Sequence, residues 1–117
     1  MPVKLSKIND ARTVELHDGF LESWFFDQDT PTDSGVMAMA TIAPNVSCGL
    51  HMHNAEEFFY IVRGQGVGEI GGEGVTLEAG LAMYVPANTA HNFTNTGDSN
   101  LEILYFMSDK HFTTTQL

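Results

Sequence analysis

The sequence predicts an all-β fold, a sandwich or barrel of short strands, and three observations carry the prediction. Apolar residues fall in short runs: Phe20 to Phe26, Gly35 to Ile42, Glu57 to Val62, Leu81 to Val85 and Leu101 to Met107. Glycines and clusters of Asn, Asp and Thr punctuate the chain between them, the spacing of strands and turns. Several breaks carry tight-turn chemistry, namely Asp18-Gly19, Gly64 with Gly66, and Gly71-Gly72-Glu73-Gly74.

Taken in order, Val14 to Leu16 and Phe20 to Phe26 flank Asp18-Gly19 and read as a hairpin. Leu16, Phe20 and Trp24 also fit helical periodicity, but Gly19 and the aromatic ending Trp24-Phe25-Phe26 favour strand. The polar stretch Asp27 to Ser34 reads as a solvated loop. In the next run Met37, Met39 and Thr41 share one face and Val36, Ala38, Ala40 and Ile42 the other. Both faces are largely apolar, which fits a strand covered on both sides, the outer one by a second subunit. Beyond the glycine turns, Leu81 to Val85 and His91 to Asn95 are further strand segments. Thr96 to Asn100 is a loop before the last run.

The 117 residues predict one domain, residues 1–117, large enough to bury about two-thirds of its unfolded surface without a disulfide or structural metal. Fifteen acidic residues against five basic ones leave a net charge of −10. The basic residues Lys4, Lys7, Arg12, Arg63 and Lys110 form no patch, so no nucleic acid and no anionic membrane is expected as a partner. One cysteine, Cys48, excludes an internal disulfide and reads as a small buried residue. Without an apolar segment of signal-peptide or membrane-span length, the expected location is the cytoplasm.

Chemistry concentrates in a few residues. His51 and His53, two apart, point to one face of a strand. Glu57 opens the apolar run Phe58-Phe59-Tyr60-Ile61-Val62, where an unpaired carboxylate is costly and a cation removes the cost. Glu56 is its rival, but period two sends it outward if Glu57 points inward with Phe59 and Ile61. His91 follows Pro86-Ala87-Asn88-Thr89-Ala90 and starts another alternating segment. Three imidazoles and a carboxylate suit one divalent transition metal ion, Fe, Mn, Zn, Ni or Cu, with coordination positions left open.

The pattern His51-x-His53-x3-Glu57-x6-Gly64, then Gly80-x5-Pro86-x4-His91-x3-Asn95, resembles the two motifs of the cupin superfamily, in residues 45–64 and 80–95. Asn45 and Asn88 stand where the motifs usually carry Gly, and Asn tolerates the left-handed backbone better than most residues. The resemblance implies a double-stranded β-helix, or jelly-roll, barrel, a metal held inside it by His51, His53, Glu57 and His91, and a homodimer. It also implies a metal-dependent enzyme acting on a small organic metabolite, with Fe(II)-type dioxygenase chemistry favoured. A redox-neutral lyase, isomerase or decarboxylase uses the same ligands, and a non-catalytic small-molecule-binding module is the reading from another class.

Phe59, Phe93, Met39 and Tyr84 are candidates for the pocket wall, since Phe59 shares a face with Glu57 and Phe93 with His91, with ordinary core as the alternative for each; strand parity also puts Arg63 on the Glu57 face as a possible anchor at the mouth. Tyr60, Tyr84 and Tyr105 are candidates for moving protons. His17 and His111 read as surface residues. Gly66-Val67-Gly68-Glu69-Ile70-Gly71 matches a dinucleotide-binding pattern in letter only, since no helix follows it.

Overall fold

The computed structural model describes residues 3–117 and consists of eleven strands with a single short 3-10 turn, Ile8–Asp10. The strands are β1 (Arg12–His17), β2 (Phe20–Phe26), β3 (Val36–Ile42), β4 (His51–His53), β5 (Glu57–Arg63), β6 (Gln65–Ile70), β7 (Glu73–Glu78), β8 (Ala82–Val85), β9 (His91–Asn95), β10 (Leu101–Met107) and β11 (Thr114–Gln116). Each apolar run of the sequence is a strand, and the Asp18-Gly19 and Gly71-Gly72 turns join β1 to β2 and β6 to β7 as hairpins. The glycine-rich stretch of β6 therefore leads into a hairpin and not into a helix.

Two antiparallel sheets face each other as a jelly-roll β-sandwich. One has the order β1-β2-β3-β10-β5-β8 and the other β11-β4-β9-β6-β7. Period-two alternation builds the core between them: Val36, Ala38, Ala40 and Ile42 point inward from β3, as do Leu101, Ile103, Tyr105 and Met107 from β10. Glu57, Phe59 and Ile61 point inward from β5, while Phe58 and Tyr60 stand in solvent. No helix among the described residues is long and apolar enough to cross a membrane.

Two features of the backbone govern where side chains land. Asn45 and Asn88 both adopt the left-handed conformation, at φ 65° and 61°, so the two residues that replace motif glycines hold the conformation for which glycine is usually chosen. On β5 the register slips: Arg63 opposes Glu102 and Ile61 opposes Ile103, leaving Val62 as an extra residue. Such a bulge re-aims the residues beyond it. At the reversal that follows, Gly64 has φ 93°, and a Cβ there would lie 2.7 Å from the carbonyl oxygen of Asn100.

Asn95, at the end of β9, ties this end of the sandwich together. Its buried amide donates to the carbonyls of Ile42 and Ser99, both at 2.8 Å, and accepts from the N–H of Gly97 at 2.8 Å. Gly64→Ala is expected to lower stability by about 1–3 kcal/mol, because strain and a backbone clash coincide. Asn88→Gly should stay within about 0.5 kcal/mol of wild type, since glycine accepts the same φ at some cost in chain entropy. Urea denaturation measures both, and a Gly64→Ala midpoint equal to wild type contradicts the crowded turn.

Candidate metal centre

Strand β4 is only three residues long, yet it places His51 and His53 on the same inward face. Its bridge to β9 pairs His51 directly with His91, which brings the third imidazole alongside. The turn before His91 is latched to β4, since the Asn88 N–H donates to the His53 carbonyl at 2.7 Å. One ring nitrogen from each histidine lies within 4.8 Å of the others. From the facing sheet, Glu57 Oε1 stands 3.4 Å from His53 Nε2 and 3.3 Å from His91 Nε2.

The opposite edges of the three rings are all engaged. His51 Nδ1 donates to the Gly49 carbonyl at 2.7 Å and His91 Nδ1 to the Thr89 carbonyl at 2.9 Å, while His53 Nδ1 pairs with the Thr114 hydroxyl at 2.9 Å. A carbonyl can only accept, so Nε2 of His51 and His91 carries the lone pair when the rings are neutral. The Gly49 carbonyl is itself positioned: Asn92 Oδ1 accepts from the Gly49 N–H at 2.9 Å and from the Ser47 hydroxyl at 2.7 Å.

Electrostatics favour neutral rings on β4. Burial lowers His51, and burial followed by the neighbouring imidazoles His51 and His91 pulls His53 down to about 3. Burial also pushes His91 down, but the Glu57 carboxylate and the Thr89 carbonyl outweigh it, and the net direction is up. Burial raises Glu57, against the pull of His91. Although Glu57 is close to two histidines, His91 is thus its partner for a proton. Three unprotonated nitrogens and a carboxylate form a donor set that fits a divalent transition metal ion, so His51, His53, His91 and Glu57 could hold one.

The cluster borders a cavity of about 100 Å³ between the sheets. Phe59 and Phe93 line it, with Phe20, Ile42, Ile103 and Met107. Three sequence candidates lie elsewhere. Met39 belongs to the outer face of β3, because it is Ala40 of the alternating pair that points inward. Tyr84 is on the outer face of β8, half exposed, packed on Phe58 and hydrogen-bonded to Glu56. Arg63 sits past the Val62 bulge, which removes it from the Glu57 face, and pairs in solvent with Glu102 at 3.3 Å.

Two more wall residues carry chemistry: Tyr105, a sequence candidate for moving protons, and Glu22, which parity on β2 would have indicated. Glu22 shares a face with Phe20 and Trp24, a lone carboxylate between aromatic residues, and Tyr105 turns inward to donate to Glu22 Oε2 at 2.5 Å. Tyr60 remains on the outer face. Phe112, just before β11, stacks on Trp24 and presents its face edge-on to His53, closing the cavity on that side. Cys48 is buried at the wall, and burial pushes its thiol up to about 11, so it has little thiolate to offer at neutral pH. His17 and His111 are exposed, and neither belongs to the histidine cluster, though His17 Nε2 lies 3.3 Å from the Cys48 carbonyl.

Residues 38–107 match the cupin domain family, and the chain belongs to that family. An oxalate-binding protein of Thermotoga maritima is 36% identical over 70 residues, which cover 59% of this chain and 58% of the relative. Among solved structures, an oxalate decarboxylase of Lactobacillus farciminis superposes with a TM-score of 0.83 at 21% identity, over 93% of this chain and 34% of that one. The polyketide cyclase RemF of Streptomyces resistomycificus superposes with a TM-score of 0.83 at 17% identity, over 99% of this chain and 86% of that one. At these identities the structural likeness is one of fold. The match spans less than two thirds of the curated relative's length.

The depressed His53 has a consequence for acid stability. In the unfolded chain it takes up a proton near 6.5, whereas in the barrel it does so only near 3. The native contribution is therefore present above 6.5 and lost as pH falls toward 3. The raised carboxyls of Glu22 and Glu57 act in the opposite sense, favouring the native state as they protonate. Chelator-treated His53→Asn is expected to show a shallower fall in Tm below about pH 6.5 than wild type. Thermal denaturation across that range measures it, and parallel acid limbs would assign the sensitivity to other groups.

Proposed function

We propose that residues 1–117 form one cupin domain that holds a single divalent transition metal ion through His51, His53, His91 and Glu57 and acts on a small organic molecule bound in the adjoining cavity. The observation that carries this reading is the gathering of one ring nitrogen from each of three histidines within 4.8 Å, with Glu57 Oε1 at 3.4 and 3.3 Å from Nε2 of His53 and His91, while each Nδ1 is engaged elsewhere. Such outer hydrogen bonds orient imidazoles toward a common point and hold the tautomer that can ligate. When bound, the ion supplies Lewis-acid polarisation of a ligand oxygen or, if it is iron, a place for dioxygen.

The chain's own residues supply the rest. Phe59, Phe93, Phe20 and Ile103 exclude water and limit the occupant to a few heavy atoms, since a cavity of about 100 Å³ is far below the roughly 300–1,000 Å³ that drug-sized ligands fill. The donor set serves an Fe(II)-type dioxygenase as well as a redox-neutral lyase, isomerase or decarboxylase, and the resident metal separates the two. The name of the Thermotoga maritima relative favours a second reading, binding without turnover. The outer face of the six-stranded sheet exposes Phe58, Tyr60, Val62 and Tyr84, a patch suited to a second copy, which supports a homodimer. A lone buried cysteine supports a reducing compartment, the cytoplasm.

Elemental analysis of protein purified without an affinity metal, aerobically and anaerobically, is the test. Near-stoichiometric iron directs the work to oxygenase substrates, and zinc, manganese or nickel to redox-neutral ones. No metal in either preparation, and none taken up on addition, overturns the proposal. Glu57→Gln is expected to weaken divalent-ion binding by about tenfold or more by removing the anionic donor, and His53→Ala to lower metal content with the fold retained. Glu56→Gln, on the outer face, should leave the metal content unchanged, and the reverse order of effects would reassign the carboxylate.

A further inference from the structure

The cavity contains a second acid outside the four candidate metal donors. Glu22 on β2 and Tyr105 on β10 flank β3, opposite Ala40 and Ala38 respectively, and the two small residues leave the space in which their side chains meet. Among the described residues Tyr105 is the one hydrogen-bond partner of Glu22, and it engages Oε2. The carboxyl lines the same cavity as the three imidazoles and Glu57.

Apart from the metal ion proposed above, the cavity has no fixed cationic side chain. None of its lining residues is Lys or Arg. Arg12 is paired with Asp27 and Arg63 with Glu102, both at the surface. An entering dianion would face two carboxyls across low-dielectric walls with the proposed metal ion as its sole positive partner.

We infer that Glu22, held in place by Tyr105, accepts a proton from the molecule that occupies this cavity, and that the occupant is a small uncharged compound bearing an acidic O–H or C–H beside an oxygen. The inference rests on the metal-site reading above. In the step, the ligand's O–H or C–H bond breaks, the proton passes to the Glu22 carboxylate, and the electron pair stays on the ligand. Return of the proton to the same or a neighbouring atom closes the cycle with no oxidant or reductant. Burial raises the Glu22 carboxyl, against the pull of the Tyr105 hydrogen bond, which makes it a stronger base than an exposed glutamate. Tyr105 is a positioning residue, because burial and then the Glu22 charge keep its phenol protonated.

The test uses zinc-loaded wild type, Glu22→Gln and Tyr105→Phe, with zinc content measured on each. Acetohydroxamic acid, uncharged with an acidic O–H, and oxalate, a dianion of similar size and bite, are titrated by calorimetry in two buffers of different ionisation enthalpy. Glu22→Gln should shift the hydroxamate-to-oxalate affinity ratio by about tenfold or more toward oxalate. It should also release about one more proton to the buffer per hydroxamate bound than wild type does. Tyr105→Phe, should Glu22→Gln fail to fold, moves the ratio in the same direction by a smaller factor. Full zinc occupancy with an unchanged ratio and proton count, or with neither probe bound by wild type, overturns the Glu22 assignment alone. A wild type that takes up no zinc overturns the metal-site reading and this inference together.

Discussion

A carboxylate only 3% exposed, Glu57, lies between two sheets of largely apolar side chains. An isolated charge there would be strongly disfavoured, and its neighbourhood is arranged around that constraint. His91, itself buried, is drawn upward in basicity by the carboxylate, while His53 at nearly the same distance is not. The difference lies in their surroundings: His53 is flanked by two other imidazoles whose charge would oppose its own. A cation placed between the rings and the carboxylate would relieve the desolvation of Glu57 and require no proton on any ring. The same geometry that is electrostatically tense with protons is thus relaxed with a metal.

That geometry depends on parts of the chain far from it in sequence. Gly49, whose carbonyl engages His51, gives its N–H to Asn92, the neighbour of His91, so the two motifs brace each other's ligands. The hydroxyl on His53 comes from Thr114 on β11, an edge strand paired with β4. Phe112 next to it packs against both Trp24 and His53. Each imidazole is held at its far edge by a different loop or strand.

Much of this was legible in the sequence. Alternation and turn residues located the strands because one face of each sheet is buried and the tight turns need glycine. Glu57 was distinguishable from Glu56 by the same parity. Asn45 and Asn88 were legible as left-handed positions, and both adopt that conformation. Parity failed where the backbone broke it: the Val62 bulge carries Arg63 off the inner face, and no residue type in Ile61-Val62-Arg63 announces a bulge. Met39 and Tyr84 were misplaced for another reason, since both faces of β3 are apolar and a Tyr between Met83 and Val85 fits either side. Glu22 was overlooked although it shows the signal that singled out Glu57, a carboxylate alternating with aromatic residues.

Ala38 and Ala40 on β3 have a consequence for how such a site can diversify. Neither is one of the four candidate donors, yet Ala40 lies opposite Glu22 and Ala38 opposite Tyr105, and their small side chains leave room there. The candidate donors reside on β4, β9 and β5, whereas the two alanines lie on β3, a middle strand of the same six-stranded sheet as β5. Exchanging a methyl for an isopropyl group at either alanine would therefore retune which molecules fit without disturbing the donor atoms. Part of the cavity's size is thus carried by a strand that holds none of the donors, and it can change while they stay constant.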